Sequence, residues 1–89
     1  MLRGLGDLEF KLGRNDEART AYTEARSLFK AAGDRLGEAN VLIGLGRLEV
    51  PVHPEVARQH FHQAALLYEQ IGMNNWKEIA LNHAKDLSH

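Results

Sequence analysis

Leu2-Arg3-Gly4-Leu5-Gly6-Asp7-Leu8-Glu9 returns 40 residues later as Leu42-Ile43-Gly44-Leu45-Gly46-Arg47-Leu48-Glu49, with only the second and sixth positions changed. A second element, Ala18, Tyr22, Ala25, Leu28, Phe29 and Gly33, returns at a shift of 39 as Ala57, Phe61, Ala64, Leu67, Tyr68 and Gly72. Self-similarity at a period of roughly 20 to 50 residues marks a repeat architecture, in which each unit buries its apolar face against the next. The single lost residue falls where Phe10-Lys11-Leu12-Gly13-Arg14-Asn15 gives way to Val50-Pro51-Val52-His53-Pro54. Both copies use that stretch as a turn, and turns absorb deletions best.

Leu2, Leu5, Leu8 and Leu12 recur at spacings of three and four, which is the period of a helix and not of a strand. The second element is spaced likewise, so the repeating unit is helix-turn-helix. Gly13 and Gly33 can close a helix in the left-handed conformation, while Asn15 and Asp34 can accept hydrogen bonds from the free amides of the next one. Pro51 disfavours helical geometry at Val50, and Pro54 suits the first turn of a helix, where Glu55 complements the dipole. These signals predict helices at 2–12, 16–32, 35–50, 54–71 and 75–88. On the last helix, Trp76, Ile79, Ala80, His83 and Leu87 are expected to form the packed stripe, with Asn75, Glu78, Asn82, Lys85 and Asp86 solvated.

The order Leu5-Gly6, Gly13, Ala18-x3-Tyr22-x2-Ala25, repeated as Leu45-Gly46 and Ala57-x3-Phe61-x2-Ala64, resembles the tetratricopeptide repeat signature. In that family small residues let paired helices touch and an aromatic fills the gap. The period of 39 to 40, with Gly33-Asp34-Arg35-Leu36-Gly37-Glu38-Ala39 joining the units, is similar to the longer variety in kinesin light chains and Leu-Gly-Asn-repeat adaptors. Glu9 and Glu49 depart from the pattern, which prefers tyrosine there, and Lys30 and Glu69 stand where it places a helix-ending proline. The resemblance implies an all-α, right-handed α-solenoid of antiparallel helix pairs, with five helices in about two and a half repeats: repeat one at 1–33, repeat two at 34–72, and a C-terminal capping helix at 73–89. The opening leucines lack a preceding helix to cover them, so the chain is expected to be a fragment of a longer array.

Composition narrows the function. Eleven Lys and Arg stand against 12 Asp and Glu, and a net charge of −1 supplies no field to gather nucleic acid or an anionic membrane. No cysteine is present, which removes disulfides, thiolate nucleophiles and Cys-based zinc sites. No apolar segment approaches the ~20 residues of a membrane span, and the start lacks a signal-peptide pattern, so a cytoplasmic chain is expected. Ser27 and Ser88 have no spaced His and carboxylate to form a triad, and Gly4-x-Gly6 and Gly44-x-Gly46 lie within helical patterns without a preceding strand. No enzyme activity and no cofactor are expected. His53 with His60, or His83, Asp86 and His89, are remote metal candidates.

In stacked repeats of this family the first helix of each pair lines the concave side. The positions off the leucine stripe are Arg3, Asp7, Phe10 and Lys11, then Asn40, Ile43, Arg47 and Val50, then Asn82 and Asp86. The resemblance implies an extended peptide or partner helix there, with Asn40, Asn82 and Arg47 as leading contacts. Against this, Asp7, Arg47 and Asp86 can simply pair on a solvated surface, and Phe10 can pack on Val50 and Ile43. Two functions compete: a protein-interaction scaffold with a groove ligand, or a self-associating or capping segment of a larger signalling or sensor protein. The second would make a homodimer or helix-swapped oligomer through Leu2, Leu5, Leu8 and Leu12.

Overall fold

Gly33 and Gly72, 39 residues apart, both take the left-handed backbone, with φ of 73° and 76°, where a residue without Cβ meets no steric penalty. The same closure forms around each. The Asp34 N–H reaches back to the Phe29 carbonyl at 2.8 Å and the Met73 N–H to the Tyr68 carbonyl at 2.8 Å, which satisfies carbonyls that a helix end leaves open. Asp34 then caps the following helix, its Oδ1 accepting from the Gly37 N–H at 2.9 Å.

The computed structural model describes residues 15–87. They form four helices and no strand: α1 (Asn15–Ala32), α2 (Arg35–Glu49), α3 (Pro54–Gln70) and α4 (Asn74–Asp86). Each packs on the next in sequence, as short connections between helices require. Four of the five expected helices are therefore present within a residue or two of their predicted limits. The fifth, at 2–12, lies outside the described residues, as do Gly13 and the capping role expected of Asn15. Among the described residues no helix is long and apolar enough to cross a membrane.

Three expectations are corrected, at Val50, on α4 and at Leu28. Val50 keeps helical dihedrals, φ −50° and ψ −49°, although Pro51 follows it. Its N–H still bonds the Gly46 carbonyl at 3.1 Å, and the Glu49 carbonyl accepts from Val52 at 3.0 Å and His53 at 2.7 Å. Those bonds offset the steric cost that a proline imposes on the residue before it. On α4 the packed stripe is centred on Ala80 and Ala84, with Leu81 and Leu87 beside it. Trp76 and Ile79 are exposed by 49% and 43%, because α3 meets α4 over alanines and leaves the larger side chains at the rim.

Small residues set the helix spacing. A Cβ on Gly44 would lie 2.6 Å from the Tyr22 ring, and one on Gly46 2.6 Å from the Phe61 ring. These glycines are the seats of the aromatics carried by α1 and α3. Ala18, Tyr22 and Ala25 close on Val41, Leu45 and Leu48; Ala64, Ala65 and Tyr68 close on Ala39, Leu42 and Ala80. Leu28, counted with the α1 stripe in the sequence, is exposed instead.

The two junctions fill their gaps in opposite ways. At the shift of 39, Gly37 and Gly44 of α2 correspond to Trp76 and His83 of α4. Phe29 presses on Gly37 and Tyr22 on Gly44, whereas Tyr68 stacks on Trp76 at 6.2 Å and Phe61 on His83 at 5.1 Å. Rings replace glycines, and Ala80 and Ala84 stand at the places of Val41 and Leu45.

Candidate functional site

Leu36, Trp76 and Ile79 are large apolar side chains left exposed, and all three face one groove. Its volume is about 460 Å³, and Asn40, Ile43, Arg47, Tyr68 and Met73 complete the lining. The α2 side follows from helix spacing: Leu36, Asn40, Ile43 and Arg47 recur every three or four residues. The α4 side is set by the turn after Gly72, which brings Met73, Trp76 and Ile79 opposite them. Tyr68, buried to 1% exposure, forms the floor.

Of the residues expected on the concave face, Asn40, Ile43 and Arg47 come together in this groove. Asn82 and Asp86 are exposed on α4 but lie beyond its lining, one and two turns past Ile79 on the same stripe. Val50 is exposed beyond Arg47 and also lies outside the lining. Arg3, Asp7, Phe10 and Lys11, and the leucines at 2, 5, 8 and 12, lie outside the described residues. The sequence reading missed Leu36, Tyr68, Met73, Trp76 and Ile79. One signal could have found Ile79, since it occupies the place of Asn40 at the repeat shift of 39.

The groove's polar groups are held from below. The Tyr68 hydroxyl donates to Asn40 Oδ1, and the Tyr68 ring stacks on Trp76 with an interplanar angle of 30°. A buried phenol that gives its proton away and keeps its ring packed is a fixed support. Arg47 is exposed and brings a cation to one end.

Elsewhere, charged groups serve the scaffold. Glu49 is the buried acid of the described core, 7% exposed, and its Oε1 accepts from Arg19 Nε at 2.9 Å and Nη2 at 2.6 Å. This pair ties α1 to the end of α2. Beside it His60 has a buried Nδ1 without a hydrogen-bond partner among the described residues. Burial lowers its pKa below the ordinary 6.5, and the nearby Arg26 cation lowers it further, against the opposing effects of Glu49 and a hydrogen bond with Gln63. Among the described residues no three His, Cys, Asp or Glu side chains converge to hold a metal. His53 lies 3.9 Å from Glu55 and His83 stacks on Phe61; His89 lies outside the described residues.

A family model described as tetratricopeptide repeat matches residues 1–50, more than half of the 89 residues. Compared with curated proteins and with solved structures, the chain finds no match.

Proposed function

The chain belongs to the tetratricopeptide repeat family, and from that premise we propose that it is a protein-interaction module that holds an extended peptide or a partner helix in the groove between α2 and α4. Repeats of this family generally mediate contacts between proteins and are typically non-enzymatic scaffolds. The observation that carries the reading is the convergence of Leu36, Trp76 and Ile79 with Asn40 and Arg47 in one groove. Exposed apolar side chains cost solvation in the free protein and gain it when covered, and polar groups among them fix an orientation. The concave face also includes Arg3, Asp7, Phe10 and Lys11 in this reading, with Asn82 and Asp86 extending the groove along α4. We place the chain in the longer, kinesin-light-chain-like variety on the period of 39 to 40, as a right-handed solenoid of repeats at 1–33 and 34–72 with a helix at 73–89. A cytoplasmic protein partner, and neither nucleic acid nor membrane, fits the balanced charge.

Trp76 is the only tryptophan, so its emission reports the groove directly. Dodecamer peptides selected from a random displayed library on the native chain are expected to shift that emission. They are also expected to bind Ile79→Asp, with its helicity intact, at least about tenfold more weakly, a factor that corresponds to ~1.4 kcal/mol. Equal binding to Ile79→Asp refutes the groove.

A second reading is favoured by α4 itself. Ala39, fully buried against α3, and Gly46, the seat of Phe61, have Glu78 and Lys85 as their repeat counterparts. A helix stacked on α4 in the manner of α3 would meet two charges. We therefore read α4 as a capping helix, which directs any self-association to Leu2, Leu5, Leu8 and Leu12.

A further inference from the structure

Resting on the groove as the ligand site, we propose that Tyr68 is a positioning residue: its hydroxyl holds Asn40 in the amide orientation that turns the Nδ2 donors to the groove, so that the groove reads a main-chain carbonyl. A carboxamide is nearly symmetric in shape, and only its hydrogen bonds decide which end presents oxygen and which nitrogen. The Tyr68 hydroxyl has one proton, and it is donated to Asn40 Oδ1. That bond fixes the oxygen toward Tyr68, with one lone pair still open, and turns the two-donor end away from it. Among the described residues the Asn40 side chain makes no other hydrogen bond, and its Nδ2 is not a buried orphan. The donors therefore meet solvent in the groove until a ligand replaces it. The two amide donors of Asn40 suit a carbonyl of an extended chain.

Packing does not require the hydroxyl. At the repeat shift of 39, Phe29 stands where Tyr68 does, and its bare ring fills the first junction against Gly37. Asn40 likewise has Ile79 as its counterpart. Among the described residues the hydroxyl and the amide meet at the groove alone, while a ring packs at both junctions.

The test uses the full chain and a dodecamer selected from a random displayed library, resynthesised with each peptide bond in turn replaced by an ester, which weakens the carbonyl as an acceptor. On the native protein one ester is expected to weaken binding about fivefold, the factor that goes with one ordinary hydrogen bond. Tyr68→Phe, which keeps the ring, is expected to weaken the parent peptide by a similar factor and to lose sensitivity to that ester. Tyr68→Phe that binds as the native chain does, or keeps the native ester profile, overturns the proposal. If no library peptide occupies the groove, the ligand reading fails, and the lock is then judged alone by heteronuclear NMR of the free chain. Both Asn40 side-chain amide protons exchanging with water supports the orientation. One of them protected from exchange means that the amide donates to the Tyr68 oxygen, and the proposal is wrong.

Discussion

Replacing Gly46 by Ala adds one methyl group at the tightest interhelix contact of α3. The new Cβ would lie 2.6 Å from Phe61 Cε1, 2.8 Å from Cζ and 3.0 Å from Cδ1, whereas carbon atoms rest about 3.5–4.0 Å apart. Relief requires a displacement of about 1 Å. Phe61 is 1% exposed and stacks on His83, so its ring cannot swing into solvent, and α3 itself must move from α2. Overpacking of this kind costs about 1–3 kcal/mol, while Ala in place of a mid-helix Gly returns about 1 kcal/mol of propensity. Because the α3 backbone itself has to move, the upper end of that cost applies, and the expected net loss is about 2 kcal/mol, read as a lower urea midpoint with an unchanged slope by far-ultraviolet circular dichroism. In a Phe61→Leu background the cost of Gly46→Ala should shrink, because the obstructing ring is gone, and the four-protein cycle isolates that coupling. A Gly46→Ala chain as stable as the native one, or more so, refutes the claim that glycine here is a seat for the ring and not a tolerated helix residue.

Other perturbations follow from the same contacts. His60 has a folded pKa below the ordinary 6.5, so the unfolded chain takes up the proton first as pH falls. Its contribution is fully present above about pH 6.5 and is lost as pH falls from there toward the folded pKa. Urea midpoints should decline as pH falls below about 6.5, and His60→Gln should flatten part of that slope; an unchanged slope in His60→Gln rejects the assignment. Arg19→Ala leaves the buried Glu49 carboxylate without its two donors. Because the Arg19 side chain is 37% exposed, the loss is discounted to about 1–2 kcal/mol, and Glu49→Gln should recover part of it in the Arg19→Ala background. Leu5→Glu with Leu8→Glu is expected to convert a concentration-dependent dimer to a helical monomer in sedimentation; a native chain that is monomeric at every concentration disposes of self-association.

The helices were legible because their punctuation is local. Gly33, Asp34, Pro54 and Gly72 each act within a few residues, so the ends of α1, α2 and α3 follow from backbone chemistry alone. Val50 shows where a local rule loses. The bias against helical geometry before Pro51 is outweighed by bonds that Gly46 and Glu49 accept in the turn. The groove was half legible: Asn40, Ile43 and Arg47 follow from helix spacing on α2, because a stripe on one helix is a matter of period. Its opposite wall was not, since Trp76 and Ile79 look like core residues by type and spacing. Which face of α4 packs depends on what α3 presents, and α3 presents alanines and rings that seat on Ala80 and Ala84.

That exchange of glycine for rings ties the fold to the proposed function. Where α2 offers Gly37 and Gly44, the aromatics of α1 sink in and the helices close on each other. Where α4 offers Trp76 and His83, the aromatics of α3 stack instead of sinking. Trp76, held against Tyr68, then stands at the rim as half-exposed apolar surface opposite Leu36 and Asn40. A Trp76→Gly chain would restore the glycine of the first junction and remove the wall. If the groove binds through that wall, this substitution abolishes peptide binding beyond the loss of helix stability it brings. Trp76→Phe, which keeps a ring on Tyr68, should preserve most of the binding. Loss of binding in both, with helicity intact, would mean that the indole is itself a ligand contact and not only a wall.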